Sequence, residues 1–230
     1  MALKHAGNST LRAIIFYLLV GMWSGAEKQR KELKKQGRAR AWIFYFGFTS
    51  QKQIRKLSDE IHSCVPKIDV LINNAGGVFG RFELSEDGIE KTFALNHLNY
   101  FLLTNLLLDL LPSGSRIINV SSHSHFPGKI DFESFRKNKR YNILKAYEQS
   151  KLANVLFTYA LARKLEGKNS TVNALHQGRV RTHIGNKNQP WYLSLGWSIL
   201  VAVSSISPGE SVSTYVYLAE SDEVKNVTGK

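Results

Sequence analysis

Apolar and polar positions follow two different rhythms along this chain. Compact apolar segments occur at Leu11–Val20, Ala41–Phe48 and Ile68–Ile72, and strand-like segments follow at Ser115–Val120 and Ser170–His176. Their length and their aliphatic and aromatic content predict strands, several of them covered on both faces. Between them the spacing turns helical. Ile54, Leu57 and Ile61 fall on one face of a helix. A leucine-rich helix is predicted from about Gly88 to Leu111, and another over Tyr147–Gly167, with Gly167 suited to its end. Residues 123–145 read as a polar, basic connection. Strands and helices alternating in this way imply a doubly wound parallel α/β sheet with helices on both faces.

Ligands of such sheets sit beyond the carboxyl ends of the strands. Polar residues stand at those ends here: Asn73 and Asn74, Ser121 and Ser122, then Gln177 and Gly178. Beside them falls the segment AYEQSKLANVLF, in which Tyr147 and Lys151 are one helical turn apart and share a face. A free phenol has a pKa of about 10 and is a poor base at neutral pH. A neighbouring ammonium favours the phenolate, so the pair can serve as a tuned general acid/base. Ser122 ends a buried strand, where its hydroxyl can donate to a substrate oxygen. Asn96 lies in an otherwise apolar helix, and its amide needs partners, holds a water or bends the helix locally.

Five segments occur in one order: NNAG (Asn73–Gly76), NHLNYFLLTNLLL (Asn96–Leu108), RIINVSS (Arg116–Ser122), YEQSK (Tyr147–Lys151) and VNALHQGRVRT (Val172–Thr182). Together they resemble the short-chain dehydrogenase/reductase family, in wording the retinol dehydrogenase-like branch. The resemblance runs from about Glu27 to the end of the chain. It implies a Rossmann-like fold, an NADP or NAD cofactor with NADP favoured by analogy, and interconversion of an alcohol and a carbonyl. It assigns the acid/base role to Tyr147. Lys151 would lower the Tyr147 pKa and bind the nicotinamide ribose, Ser122 would hold the substrate oxygen, and Asn96 would anchor a water leading to Lys151. Asn74, Ala75 and Gly76 would line the adenosine side of the cofactor, and Val180 and Thr182 would contact the carboxamide. A homo-oligomer paired through the helices of Asn96 and Tyr147 is implied by the same analogy.

The family's opening strand, T-G-x-x-x-G-x-G turn and helix are not intact. In VGMWSGAE, Gly21 and Gly25 have the right separation, but Glu27 stands where a third glycine belongs. The alternative takes Leu11–Val20 as the second strand, Ala26–Gln36 as the second helix and Trp42–Phe48 as the third strand. The first strand and glycine turn are then lacking, and the chain is short by one strand–helix unit of about 30 residues. The organisation expected is a divergent N-terminal segment, 1–25, followed by a Rossmann-like domain, 26–230. Gly47 replaces a usual Asp, Asn99 a usual Gly and Gln177 a usual Pro. A non-catalytic relative that has lost cofactor binding is the alternative to an enzyme.

The formal charge of +13 over 230 residues raises nucleic acid or an anionic membrane as partners. The basic runs, Lys28–Arg40 and Arg136–Lys145, lack the interleaved aromatics of a single-strand binder, so nucleic acid is not expected. Cys64 is the sole cysteine, which precludes an intrachain disulfide, and it has no metal-ligand spacing. A reducing, cytoplasmic setting follows as the expectation. Leu11–Trp23 is short for a bilayer span and has no clean cleavage site, so it reads as a strand rather than a signal peptide. The apolar stretch Trp191–Ile206 is a lid for a lipophilic substrate, a plain core helix, or a peripheral membrane contact.

Overall fold

The structure is a computed structural model. It describes residues 50–137, 140–176 and 213–230 in full, and the backbone alone of 12–18, 39–45 and 208–212. Among the described residues, five parallel strands form the sheet: β1 (Arg12–Leu18), β2 (Ala39–Tyr45), β3 (Val70–Asn73), β4 (Arg116–Val120) and β5 (Thr171–Leu175). Their order is β2-β1-β3-β4-β5. The winding therefore reverses between β1 and β3, and the doubly wound parallel sheet expected from the pattern is borne out.

Strand β1 pairs with both neighbours, Phe16 with Ile43 on one side and with Ile72 on the other. The alternative that made Leu11–Val20 the second strand and left the first lacking differs from this pairing. Residues 12–18 take the pivot beside β3, and β2 alone lies beyond them among the described residues. An apolar run such as Ile14–Tyr17 suits a strand flanked on both sides. The segment VGMWSGAE then follows the pivot strand in sequence and lies outside the described residues, as do Gly47 and Gln177.

Helix α1 (Gln51–Cys64) buries Ile54, Leu57 and Ile61 completely, as their spacing predicts. They pack with Leu71, Ile117 and Val172 of the sheet, Leu103 and Leu107, and Phe157 and Leu161 of α4 (Ile143–Lys164). Burying one such aliphatic side chain contributes about 1.5–3 kcal/mol. The other sheet face, with Val70, Ile72, Ile118 and Leu175, is covered by Ala219, Leu218 and Tyr215 of α5 (Pro208–Glu220).

The helix expected over Gly88–Leu111 is divided. Glu90 caps its start, accepting from the backbone N–H of Thr92 and of Phe93, each at 2.8 Å. One turn, α2 (Lys91–Phe93), passes into a π-helical turn, Ala94–Leu98, and then into α3 (Asn99–Leu106). Asn96 sits in the π-helical turn, a local departure from the regular α-helical pattern. Residues 227–230 lie along the edge strand, with Gly229 N donating to Val172 O at 2.8 Å.

Candidate active site

The last carbonyl of β4, that of Val120, is where helix and sheet meet. Lys151 Nζ donates to it at 3.1 Å and Asn154 Nδ2 at 3.2 Å. One residue on, Ser121 Oγ donates back to Lys151 O at 2.8 Å. Helix α4 is thereby fixed across the carboxyl end of β4, with Tyr147 one turn before Lys151. Ser122 leaves the strand next, donating its hydroxyl to Ser124 Oγ at 3.4 Å and lying near enough to the Tyr147 phenol to favour its ionised form. Lys151 Nζ lies 5.6 Å from the centroid of the Tyr147 ring.

Asn96 joins this end of α4 to the chain after β3. Its Oδ1 accepts from Gly77 N at 2.8 Å, and its Nδ2 donates to Gly77 O and to Ser150 Oγ, both at 3.0 Å. Ser150 Oγ in turn donates to Tyr147 O at 2.7 Å. In the π-helical turn the Asn96 carbonyl accepts from Asn154 Nδ2 at 3.0 Å. Asn154 is fully buried and also accepts from His97 Nδ1 at 3.0 Å through its Oδ1.

Of the other expected site residues, Ala75 is buried, and its carbonyl accepts from Tyr100 Oη at 2.6 Å. Asn74 Oδ1 accepts from Tyr215 Oη of α5 at 2.8 Å. Gly76 lies against the Asn96–Lys151 pair: a Cβ there would stand 3.4 Å from Asn96 Oδ1 and 3.6 Å from Lys151 Nζ. Asn96, Ser122, Tyr147, Lys151 and Gly76 are thus brought together, whereas Val180 and Thr182 lie outside the described residues.

The electrostatics differ from the sequence expectation. Burial pushes the Tyr147 phenol above its ordinary value, and the opposing effect comes from the Ser122 hydrogen bond rather than from Lys151. Burial also lowers the Lys151 amine to about 8. Both shifts have one cause, removal of water from the charged form. The expected depression of the Tyr147 pKa by Lys151 is therefore not what this arrangement produces. A phenol held protonated beside Ser122 is a proton donor at neutral pH.

Sequence reasoning missed Ser150 and Asn154, which bind Asn96. A signal existed: Asn154 is seven residues after Tyr147, on the same helical face, in an otherwise apolar stretch. A surface cavity of about 600 Å³ lies at the opposite end of α4, lined by residues including Tyr159, Arg163 and Lys225, and touches none of the residues above.

A three-layer α/β/α sheet, with a serine and a tyrosine–lysine pair at its carboxyl edge, is a Rossmann-type architecture. The chain belongs to the short chain dehydrogenase family, whose pattern its residues 17–193 match. It is 43% identical over 189 residues to mouse retinol dehydrogenase 14, a stretch covering 79% of this chain and 55% of that protein. It is 39% identical over 207 residues to the chloroplastic short-chain dehydrogenase TIC 32 A of Brassica napus, covering 84% of this chain and 63% of that one. This chain spans little more than half the length of the retinol dehydrogenases it matches. Among solved structures, a blue fluorescent protein from a metagenomic library, crystallised with NADPH, superimposes with a TM-score of 0.67 at 22% identity, covering 94% of this chain and 83% of that one.

Proposed function

We propose that this chain interconverts an alcohol and a carbonyl by hydride transfer with NADP or NAD. The observation that carries this reading is the convergence of Ser122, Tyr147, Lys151 and Asn96 at the carboxyl ends of β3 and β4, next to the point where the winding reverses. Ligands of doubly wound sheets bind at such a point. The residues fit a nicotinamide dinucleotide. Gly76 leaves open the space a side chain would take in front of the Lys151 amine. Among the hydrogen bonds described, that amine meets one carbonyl, which leaves N–H donors for a ribose diol.

The cofactor supplies or accepts the hydride, and the protein handles the proton. Ser122 Oγ holds the substrate oxygen beside the Tyr147 phenol. In the reducing direction Tyr147 donates its proton to that oxygen as charge develops there. In the oxidising direction the phenolate, favoured by the Ser122 hydrogen bond, takes the proton from the alcohol. Lys151 binds the cofactor ribose, and the second lone pair of the Asn96 carbonyl holds a water toward it. Asn74, Ala75 and Gly76 line the adenosine side, with Val180 and Thr182 against the carboxamide.

Kinship with retinol dehydrogenases at about two-fifths identity supports a lipophilic, retinol-like substrate. No described helix is long and apolar enough to cross a membrane. A peripheral contact instead is supported by Phe126, Phe132 and Leu144, exposed beside the exposed basic residues Lys129, Arg136, Lys137 and Lys145. Exposed Phe101, Leu156 and Tyr159 support pairing of two copies through α3 and α4.

A non-catalytic relative is the second reading, favoured by Glu27 at the place of the third phosphate-binding glycine. Titration with NADPH and NADH separates the two. Binding raises the melting midpoint by mass action, and no shift at millimolar cofactor selects the second. Given binding, Tyr147→Phe abolishes turnover and leaves cofactor affinity unchanged. Unaltered turnover would remove Tyr147 from the acid/base role.

A further inference from the structure

We propose that His125 and Gly128 form a latch that sets the Ser122 hydroxyl against Tyr147, acting as positioning residues for the site. The proposal rests on the catalytic reading above. It starts from the carbonyl of Ser122, which is gripped twice by one residue. The His125 backbone N–H donates to it at 3.0 Å, and His125 Nδ1 donates to it at 2.6 Å. A carbonyl only accepts, so this contact requires the proton of the neutral imidazole to sit on Nδ1.

One turn further on, the grip passes to the helix of Tyr147. Gly128 N donates to His125 O at 3.0 Å. A Cβ on Gly128 would stand 2.9 Å from Glu148 O and 3.2 Å from Glu148 C, both main-chain atoms of α4. Glu148 directly follows Tyr147. The loop after β4 therefore lies flush on the backbone next to the phenol, at a distance that only a residue without a Cβ permits. Backbone cannot step aside as a flexible side chain can, so any larger residue lifts the loop from the helix. Ser122 Oγ itself accepts from Ser124 N at 3.3 Å, so its rotamer is tied to the same short turn.

Both hydroxyls that meet the substrate oxygen are thus joined by one tight circuit: Ser122, His125, Gly128, Glu148, Tyr147. Proton transfer demands this register, since a displacement of about 1 Å at a reacting group costs on the order of a hundredfold in rate.

The test measures reduction of retinal with NADPH by wild type, Gly128→Ala, His125→Leu and His125→Asn, with melting curves for each. Gly128→Ala and His125→Leu lower kcat by about tenfold or more, leave the KM for NADPH within about twofold of wild type, and still unfold cooperatively. His125→Asn retains an N–H donor near the position of Nδ1 and restores most of the kcat. Equal kcat for His125→Leu and His125→Asn, or an unchanged kcat for Gly128→Ala, overturns the latch. A second measurement is independent of turnover: long-range proton–nitrogen NMR of the histidine rings, with His125 assigned by its absence in His125→Asn. An Nδ1-protonated ring supports the latch, and an Nε2-protonated ring overturns it. Should the wild type show no turnover with any cofactor, the catalytic reading fails while the NMR result still decides the latch.

Discussion

Acidification should destabilise this protein through His97. Its ring lies among Phe93, Phe101 and Phe157, and its Nδ1–H donates to the buried Asn154. Burial lowers its pKa from 6.5 to about 4, with the Asn154 hydrogen bond opposing weakly. The unfolded chain takes up a proton below about pH 6.5, and the folded chain does not until about pH 4. Stability from this group is therefore complete above about pH 6.5 and is lost progressively as pH falls toward about 4. Between about pH 7 and about pH 4.5 the linkage amounts to about 2 kcal/mol, a large part of a net stability of about 5–15 kcal/mol. The assay is urea unfolding followed by circular dichroism across that range, for wild type and His97→Leu. The variant is less stable at neutral pH, because Asn154 Oδ1 loses its donor. Its loss on acidification is smaller than that of wild type by about 2 kcal/mol. Carboxylates such as Glu83, held low by Lys91 and Arg81, titrate in both proteins and cancel in the comparison. Parallel pH profiles for the two proteins would refute the assignment, since the ring would then titrate as freely when folded as when unfolded.

Asn154→Ala removes the side-chain partner of the Asn96 carbonyl and of His97 Nδ1–H, each costing about 1–3 kcal/mol, so calorimetry should record a melting point lower by about 4–24 °C. Gly76→Val fills the space before Lys151 Nζ and should weaken NADPH binding at least about tenfold while leaving the fold intact; unchanged affinity in a fluorescence titration would exclude the cofactor from that position. Replacing Phe126 and Phe132 by serine should reduce co-sedimentation with vesicles containing anionic lipid, and equal pelleting would show that this exposed pair does not meet the membrane.

Spacing within one element was legible in the sequence, and contact across elements was not. Ile54, Leu57 and Ile61 announce the buried face of α1 without reference to anything else, and Tyr147 and Lys151 announce a shared helical face in the same way. The apolar strands announce the parallel sheet. Helix α5 carries the same kind of signal in Tyr215, Leu218 and Ala219, one face over little more than a turn, but a short signal beside polar residues is easily passed over. The pivot position of β1 was less accessible, because strand order depends on which backbone edges pair, and an apolar run says only that both faces are covered. The π-helical turn could not be read either. It is accompanied by a contact from 58 residues away, Asn154 Nδ2 donating to the Asn96 carbonyl. The sign of the Tyr147 shift fails for the same reason. Four-residue spacing says that an ammonium is near, but the phenol responds to the difference between that attraction and the loss of water. Val120 shows how the two levels meet. Its place at the end of a strand follows from the pattern, while its carbonyl gathers Lys151 and Asn154 because α4 folds back across that end. A residue list can supply the chemical groups of such a site, but their protonation is fixed only once the fold has decided which of them keep their water.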